Sequence, residues 1–358
     1  MVLVHYLSSR ELIREGPFDA APCRGAALSD LDPERMARFI RSARRERGFP
    51  LPEKATPTEL LTHLNLLDAG RPTHAAVLLF GQRPQRFLIS SEVKCAHFHG
   101  TQAAKPIPSY QVYKGSVFDL VDQAVDFVLS KINLAVGTRA QSTEVPVVYE
   151  IPPEVVREAI VNAVAHRDYT SNGSVQVMLF SDRLEVWNPG TLPPSLTLEK
   201  LRHPHGSVPG NPLLAEPLYL AKYIERMGTG TGDMIDRCRA AGLAEPEFTL
   251  TDGFVITVRR KPEQGFVSVG GQVTGQVTGQ VSGEVWRLIL AAQGLLSRKQ
   301  LQERLSLRSR ANFEERYLKP ALADGLIEPT IPDKPNSRLQ KYRLTEKGRL
   351  AREGAKAP

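Results

Sequence analysis

The sequence predicts an α+β protein of several domains, and three observations support this. Apolar residues recur at helical steps of three and four in 117–129 and 155–164, whereas 175–179 and 254–258 alternate as strands do. A glycine-rich four-residue repeat separates these segments from a basic C-terminal region. A chain of 358 residues is long enough for two or three cores. We therefore expect a mixed α/β linking domain at 1–145, a second α/β domain at 146–262, a linker at 263–283 and a small module at 284–358.

The composition is that of a soluble globular protein, with 41% hydrophobic and 24% charged residues. No apolar run approaches the length of a transmembrane helix, and the first residues lack a basic-then-apolar signal pattern. Cys23, Cys95 and Cys238 are scattered and odd in number, so we expect no disulfide framework. These features predict a cytoplasmic protein without a membrane partner.

The net charge of +7 is confined to the C-terminal module. Residues 284–358 contain 16 Lys and Arg against 9 Asp and Glu, which leaves 30 of each sign for the rest of the chain. A local excess of positive charge favours an anionic partner. We therefore expect nucleic acid to bind this module.

A polar pair lies on the predicted helix that follows Pro152 and Pro153. Glu158 and Asn162 are four residues apart, so their side chains project side by side next to an apolar face. A carboxylate beside a carboxamide suits a site where one group orders water and the other binds hydrated Mg²⁺. The alternative is a surface turn of the helix that carries two polar residues.

Glycines and a sharp turn follow this helix. A predicted hairpin over 175–187 runs into Asn188-Pro189-Gly190, a turn that ends its second strand. Further along, Gly228, Gly230 and Gly232 open another helical pattern. Alternating glycines at a helix start let backbone N–H groups approach a phosphate closely, and the helix dipole adds attraction.

Together these motifs over 146–260 resemble the GHKL nucleotide-binding fold, and more closely its RecG-related, Schlafen-AlbA-associated branch. The resemblance implies a GHKL-like α/β sandwich that uses ATP and Mg²⁺. It implies that Glu158 is the general base, that Asn162 binds Mg²⁺, and that the glycines surround the phosphates. The ATP-binding residues it implies are Asn162, His166, Asn188, Gly190, Gly228, Gly230 and Gly232. The chain departs from the family at the residue that contacts the adenine ring. Asn188 stands where most GHKL proteins have Asp, so the resemblance implies that it accepts a hydrogen bond from adenine without charge assistance.

Residues 1–145 contain no catalytic motif. Asp32 caps a helix whose arginines form either a solvated face or a nucleic-acid contact, and 75–80 is predicted to be a buried strand. On a further strand, 92–98, Cys95 and His97 share a face with His99, which suits either a metal site or mere alternation. The segment resembles the linking domain that follows an AlbA-like module in the same branch, and we expect that module to be absent.

The C-terminal module shows three helical patterns and a two-stranded ribbon with a tip at 333–337, which predicts a winged helix-turn-helix. It resembles the C-terminal wings of bacterial regulators and Fic-type proteins. Such a module binds double-stranded DNA, although some winged helices dock proteins instead. The residues predicted to contact DNA are Arg298, Lys299, Arg308, Arg310, Asn312, Arg316, Lys334, Arg338 and Lys341. The repeat at 263–283 is predicted to be a flexible linker, with a short β-ribbon between subunits as the alternative.

We expect an ATP-binding, DNA-binding transcriptional regulator that acts as a homodimer, because paired half-sites strengthen DNA binding by winged helices. A first alternative is an ATPase of DNA repair or recombination, although not a helicase in its own right, since the chain has no Gly-x4-Gly-Lys-Ser/Thr phosphate loop. A second alternative is a degenerate nucleotide site that serves as a dimerisation scaffold.

Overall fold

The structure is a computed structural model that describes residues 16–105, 107–132, 134–136, 147–225, 228–261, 283–305, 307, 310–332, 337 and 339–354. Two compact units divide the chain: Met1–Ala124 with Glu154–Arg259 forms unit 1, and Val125–Pro153 with Arg260–Pro358 forms unit 2. The predicted linker repeat lies outside the described residues. None of the described helices is long and apolar enough to cross a membrane.

Both units contain helices, which are numbered in chain order. They are α1 (Pro33–Arg47), α2 (Pro57–His63), α3 (His74–Phe80), α4 (Val117–Leu129), α5 (Pro153–Ala165), α6 (Pro212–Leu220), α7 (Gly230–Ala240), α8 (Gly283–Ala291), α9 (Arg298–Arg304), α10 (Arg310–Phe313), α11 (Lys319–Ala323) and α12 (Glu346–Gly354). A π-helical turn, Glu314–Leu318, joins α10 to α11.

Both units also contain strands, which are numbered in the same way. They are β1 (Leu67–Asp68), β2 (Arg71–Pro72), β3 (Val93–His97), β4 (Ser109–Tyr113), β5 (Leu134–Val136), β6 (Val147–Tyr149), β7 (Val175–Leu179), β8 (Arg183–Asn188), β9 (Glu247–Leu250), β10 (Phe254–Arg259), β11 (Leu296–Ser297), β12 (Ile327–Pro329) and β13 (Lys341–Leu344).

Unit 1 is built on a mixed sheet with strand order β4-β3-β7-β8-β10-β9. β3 and β7 are parallel, with Cys95 opposite Val177, and the other neighbours are antiparallel. The sheet forms because apolar residues alternate along its strands: Val175, Val177 and Leu179 are buried on one face of β7. The sequence predicted a domain boundary between residues 145 and 146. Strands from both sides of that boundary pair in this one sheet.

The apolar run at 75–80 was predicted to be a strand, and this prediction is wrong, because the run belongs to helix α3. Thr73 Oγ1 caps the helix by accepting a hydrogen bond from the Ala76 N–H at 3.2 Å. All six residues from Ala75 to Phe80 are buried. A helix that is apolar on every side shows no amphipathic period, so the sequence pattern could not distinguish it from a buried strand.

Other predictions for the N-terminal region are confirmed. Asp32 caps α1 by accepting from the N–H groups of Glu34 and Arg35, and α4 covers 117–129 as expected. The strand expected at 92–98 is β3, on which the Cys95 side chain is fully buried.

Across the described ranges, the structure contains no cluster of three metal-ligating His, Cys, Asp or Glu side chains, and the rings of His97 and His99 contact edge to face.

Unit 2 contains α8 to α12 and a small sheet with strand order β11-β13-β12. Its core is formed by apolar side chains of these helices and strands, including Leu288, Phe313 and Tyr342. Polar contacts join the segment before α5 to the C-terminal region: the Tyr149 hydroxyl donates to the Leu305 carbonyl at 2.8 Å, and Arg260 pairs with Glu150 at 2.6 Å. The helices and the two strands expected from the sequence are thus present in the described residues, whereas the predicted tip at 333–337 lies, except for Ser337, outside them.

Candidate functional site

A cavity in unit 1 brings together most of the side chains that the sequence singled out. It lies between the helix that carries the polar pair, the end of β8, the start of α7 and the segment 191–210. Apolar residues such as Leu201, Phe254 and Ile256 form part of its wall. The predicted general base and ATP-binding residues that line it are Glu158, Asn162, His166, Asn188, Gly228 and Gly230.

Glu158 and Asn162 form a hydrogen-bonded pair on α5. The Asn162 side-chain amide donates to Glu158 Oε1 at 3.0 Å, which leaves the Asn162 carbonyl oxygen for another partner. Burial raises the pKa of Glu158, and the hydrogen bond from Asn162 opposes this by favouring the charged form. The cavity therefore holds a carboxylate that burial makes more basic than usual.

Two glycines at the start of α7 allow close approach of neighbouring groups. A Cβ on Gly230 would overlap Glu158 Oε1, so the carboxylate lies directly against the first residue of α7. Gly228 has a positive φ of 65°, and a Cβ there would overlap the carbonyl oxygen of His205. The two glycines thus allow backbone to approach both the carboxylate and the opposite wall of the cavity.

Asn188 contributes a buried polar group at the end of β8. The residue is 5% exposed, and its Oδ1 has no hydrogen-bond partner among the described residues. Gly190 follows and supports this turn, since a Cβ there would lie 3.0 Å from the His166 carbonyl oxygen. Gly190 itself is not among the residues that line the cavity.

His166 lies one turn beyond Asn162 and lines the same cavity. Burial lowers the pKa of its imidazole, so the ring is neutral at physiological pH. A neutral imidazole offers one hydrogen-bond donor and one acceptor.

Gly232 lies elsewhere. It borders a second cavity of about 450 Å³ that also contacts Arg202, Arg239 and Glu245, on the other side of the α7 start. Among the described residues, nothing lies within 4 Å of a Cβ built on Gly232. Gly232 therefore does not line the first cavity, whereas Gly228 borders both cavities.

The segment 191–210, which we call the lid, is anchored at its C-terminal end by Asn211. The Asn211 side-chain amide donates to the carbonyl oxygens of Ala165 and Arg167, at 2.9 and 2.8 Å, and so binds the end of α5. Asp19 caps α6 by accepting from the Leu213 and Leu214 N–H groups at 2.7 and 3.0 Å. No sequence signal linked Asp19 to a helix almost 200 residues away.

The cavity measures about 150 Å³. Sites for drug-sized ligands occupy roughly 300–1,000 Å³. The cavity is therefore smaller than such sites, and the space beside Gly230 is filled by the Glu158 carboxylate.

The residues predicted to contact DNA have varied environments in unit 2. Arg298 and Arg310 both pair with Glu314, at 2.7 and 2.9 Å, and Asn312 donates to Asp126 at 3.0 Å. Those three side chains therefore have partners within the unit. Lys299 and Lys341 are exposed, and Arg316 is half-buried. Arg308, Lys334 and Arg338 lie outside the described residues.

Two family models match parts of the chain. Residues 172–258 match the model described as "Putative ATP-dependent DNA helicase recG C-terminal", and residues 283–345 match "Filamentation induced by cAMP protein Fic-like, C-terminal domain". The RecG-related and Fic-type parts of the resemblance are confirmed over these ranges. The first match begins after α5, so it does not include Glu158 and Asn162.

Among solved structures, the chain is similar to the DIP2311 protein from Corynebacterium diphtheriae, with a TM-score of 0.54 and 21% identity. The match covers 94% of this chain but 66% of that one, and it shows a shared fold. A Fic family protein from Desulfovibrio desulfuricans G20 matches with 17% identity over 88% of this chain and 87% of that one. The TM-score of that match is 0.18. A search of curated proteins finds no match.

The anchoring role of Asn211 predicts a measurable loss of stability. Asn211→Ala leaves two buried carbonyl oxygens without their donor, and we expect it to lower the free energy of unfolding by about 1–3 kcal/mol. Urea denaturation measures this. The matched control is Asn172→Ala, since Asn172 is exposed and its change should have little effect. Equal midpoints for both variants would contradict the assigned role.

Proposed function

We propose that unit 1 binds ATP together with Mg²⁺ in the cavity beside α5. The observation that carries this proposal is the convergence around one cavity of a half-buried acid–amide pair, the buried Asn188, whose Oδ1 has no partner among the described residues, and a glycine-rich helix start. Each of these suits a different part of a nucleotide: the metal and attacking water, the base, and the phosphates. The match of residues 172–258 to a RecG-related model also supports the proposal.

The donor set fits a hydrated Mg²⁺. The Asn162 carbonyl oxygen is a hard ligand, and Mg²⁺ is usually bound by one or two protein oxygens with phosphates and waters rather than by an all-protein cage. Mg²⁺ would supply charge neutralisation for the phosphates. Glu158 would orient water as general base, so turnover abolished by Glu158→Gln would favour the ATPase alternative.

The start of α7 would bind phosphate through backbone N–H groups, since anions are favoured at helix N-termini. Here the Glu158 carboxylate already lies against Gly230 and occupies that position. Phosphate entry would therefore require Glu158 to swing away, together with outward movement of the lid. The Asn188 oxygen would accept a hydrogen bond from the base, which removes its unpartnered state.

This geometry distinguishes two glycines that look alike in sequence. In Gly230→Ala the methyl group displaces the Glu158 carboxylate into the cavity, and we expect the affinity for ATP with Mg²⁺ to fall at least about tenfold. Gly232→Ala meets open space, so its affinity should stay within about twofold while the helix gains about 0.5–1 kcal/mol.

The comparison is made by fluorescence anisotropy of a labelled ATP analogue with each purified variant, after thermal unfolding has shown that both fold. The side chain near Gly230 is the flexible end of a glutamate rather than backbone, so the variant should remain folded. Equal affinities for the two variants would place the phosphates elsewhere.

We further propose that unit 2 binds double-stranded DNA as a winged helix and that nucleotide binding modulates this, which would make the protein a transcriptional regulator. The element order in unit 2 and its localised positive charge support the proposal. A homodimer would supply two such modules for paired half-sites. Regulation requires that ATP bind two states of the protein with unequal affinity.

The exposed lysines provide the test of DNA binding. Lys299→Ala and Lys341→Ala should each weaken binding of duplex DNA and reduce the slope of log affinity against log salt by about one. Lys105→Ala, which changes an exposed lysine of unit 1, is the control and should leave the slope unchanged. A slope that is the same in all three variants would favour the protein-docking alternative, and unchanged DNA affinity on addition of ATP would exclude nucleotide control.

A further inference from the structure

Within unit 2, the end of α9 and the first turn of α10 are held by a segment that is distant in the chain. The Asn312 side-chain amide donates to Asp126 Oδ2 of α4 at 3.0 Å, across 186 positions. The Tyr149 hydroxyl at the end of β6 donates to the Leu305 carbonyl oxygen at 2.8 Å, across 156 positions. Asp126 and Tyr149 are 1% and 5% exposed, so both contacts are part of a closed interface.

These contacts fall on the part of a helix-turn-helix that reads DNA. Its second helix enters the major groove, and the N-terminal residues of that helix contact base edges. In unit 2 this helix begins with α10 at Arg310, and Asn312 is among the residues predicted to contact DNA. Because the Asn312 amide is already bonded to a buried carboxylate, a base edge has to compete for it with a strong acceptor. We call Leu305 and Asn312, with the backbone that carries them, the reading end.

The same interface contains buried polar groups without partners, which favours its release. Arg287 of α8 is 1% exposed, and its guanidinium carbon lies 4.9 Å from the centroid of the Tyr149 ring. Among the described residues, Nε and Nη2 of Arg287 and the hydroxyl of Tyr317 have no hydrogen-bond partner. Buried polar groups without partners cost free energy, and departure of Tyr149 would open the Arg287 guanidinium to water. Part of the energy of the docking contacts is therefore offset by this burial.

We propose that unit 2 is autoinhibited: Asp126 and Tyr149 hold the reading end, and DNA binds only after they release it. The inference rests on the DNA binding proposed above and specifies its regulation. DNA selects the released form, so the measured affinity is lower than the intrinsic affinity by the fraction of protein that is released. Loss of a docking contact therefore strengthens DNA binding, whereas loss of a DNA contact weakens it.

Two variants remove docking contacts without removing a predicted DNA contact. Tyr149→Phe deletes only the hydroxyl that bonds to Leu305, and Asp126→Ala deletes the acceptor of the Asn312 amide. Each should raise the affinity for duplex DNA by at least about threefold, because each enlarges the released fraction. Fluorescence anisotropy of a labelled duplex of mixed sequence, at one fixed salt concentration, measures this with the full-length protein.

Matched controls separate release from general effects. Tyr110→Phe deletes an exposed hydroxyl of unit 1 and should leave the affinity for DNA unchanged. Asp324→Ala removes one negative charge from an exposed position of unit 2, and its gain should be smaller than that of Asp126→Ala. Thermal unfolding first establishes that each variant is folded. Tyr149→Phe keeps the ring beside Arg287, so it supplies the test if Asp126→Ala does not fold.

Asn312 provides a second readout, because it takes part in both the docked and the DNA-bound form. In the wild-type background, Asn312→Ala loses a DNA contact and a docking contact together, so the affinity should change by less than about twofold. In the Asp126→Ala background the amide is already released, and Asn312→Ala should weaken DNA binding by at least about threefold. A contact that only stabilises the fold would not produce this dependence on the background.

The outcomes separate this inference from the DNA binding on which it rests. Wild-type protein that binds the duplex as tightly as Tyr149→Phe and Asp126→Ala would overturn the autoinhibition and leave DNA binding intact. Equal gains in Asp126→Ala and Asp324→Ala, or the same effect of Asn312→Ala in both backgrounds, would also overturn it. If neither the wild-type protein nor any variant binds duplex DNA, the proposed DNA binding itself fails, and the inference fails with it.

Discussion

The contact between the Glu158 carboxylate and the first residue of α7 is the constraint on which the candidate site depends. An unpaired buried carboxylate costs several kcal/mol. Asn162 offsets part of this, since a hydrogen bond to a charged group contributes about 1.5–3 kcal/mol, and a helix N-terminus adds up to about 2 kcal/mol. Desolvation still dominates, because the pKa of Glu158 is raised. The carboxylate can reach this position only because residue 230 is glycine, so the packing of α5 against α7 and the chemistry of the cavity have one cause.

Anchors from distant parts of the chain hold the remaining walls in place. Asn211 attaches the lid to the end of α5, and Asp19 caps the helix that follows the lid. Opposite them, the pairing of β8 with β10 fixes the backbone of Asn188. The cavity thus has a rigid floor made by α5 and the sheet. Its lid is fixed at the C-terminal end, so ligand entry as proposed above requires outward movement of the rest of the lid together with displacement of the Glu158 carboxylate.

Local chemistry made part of the fold and part of the candidate site predictable from the sequence. The four-residue spacing of Glu158 and Asn162 places them side by side on any helix, and the cap at Asp32 and the alternation in β7 have equally local causes. The helix α3 was mistaken for a strand because burial on every side removes the amphipathic period. Partners distant in the chain leave no local signal, which is why the Asp19 cap and the contact from Asn312 to Asp126 were not foreseen. Gly232 followed the same sequence pattern as Gly230, yet residues two apart on a helix point in different directions, and it borders another cavity.

The measurement that tests the central claim most directly is a calorimetric titration of ATP with Mg²⁺ into the wild-type protein and into Asn162→Ala. Asn162 supplies both the proposed metal ligand and the hydrogen bond that stabilises the Glu158 carboxylate. Saturable binding to the wild type that is lost or reduced by at least about tenfold in the variant is the predicted result. Equal affinity of both proteins for ATP, or no binding to either, would contradict the assignment of this cavity as the nucleotide site.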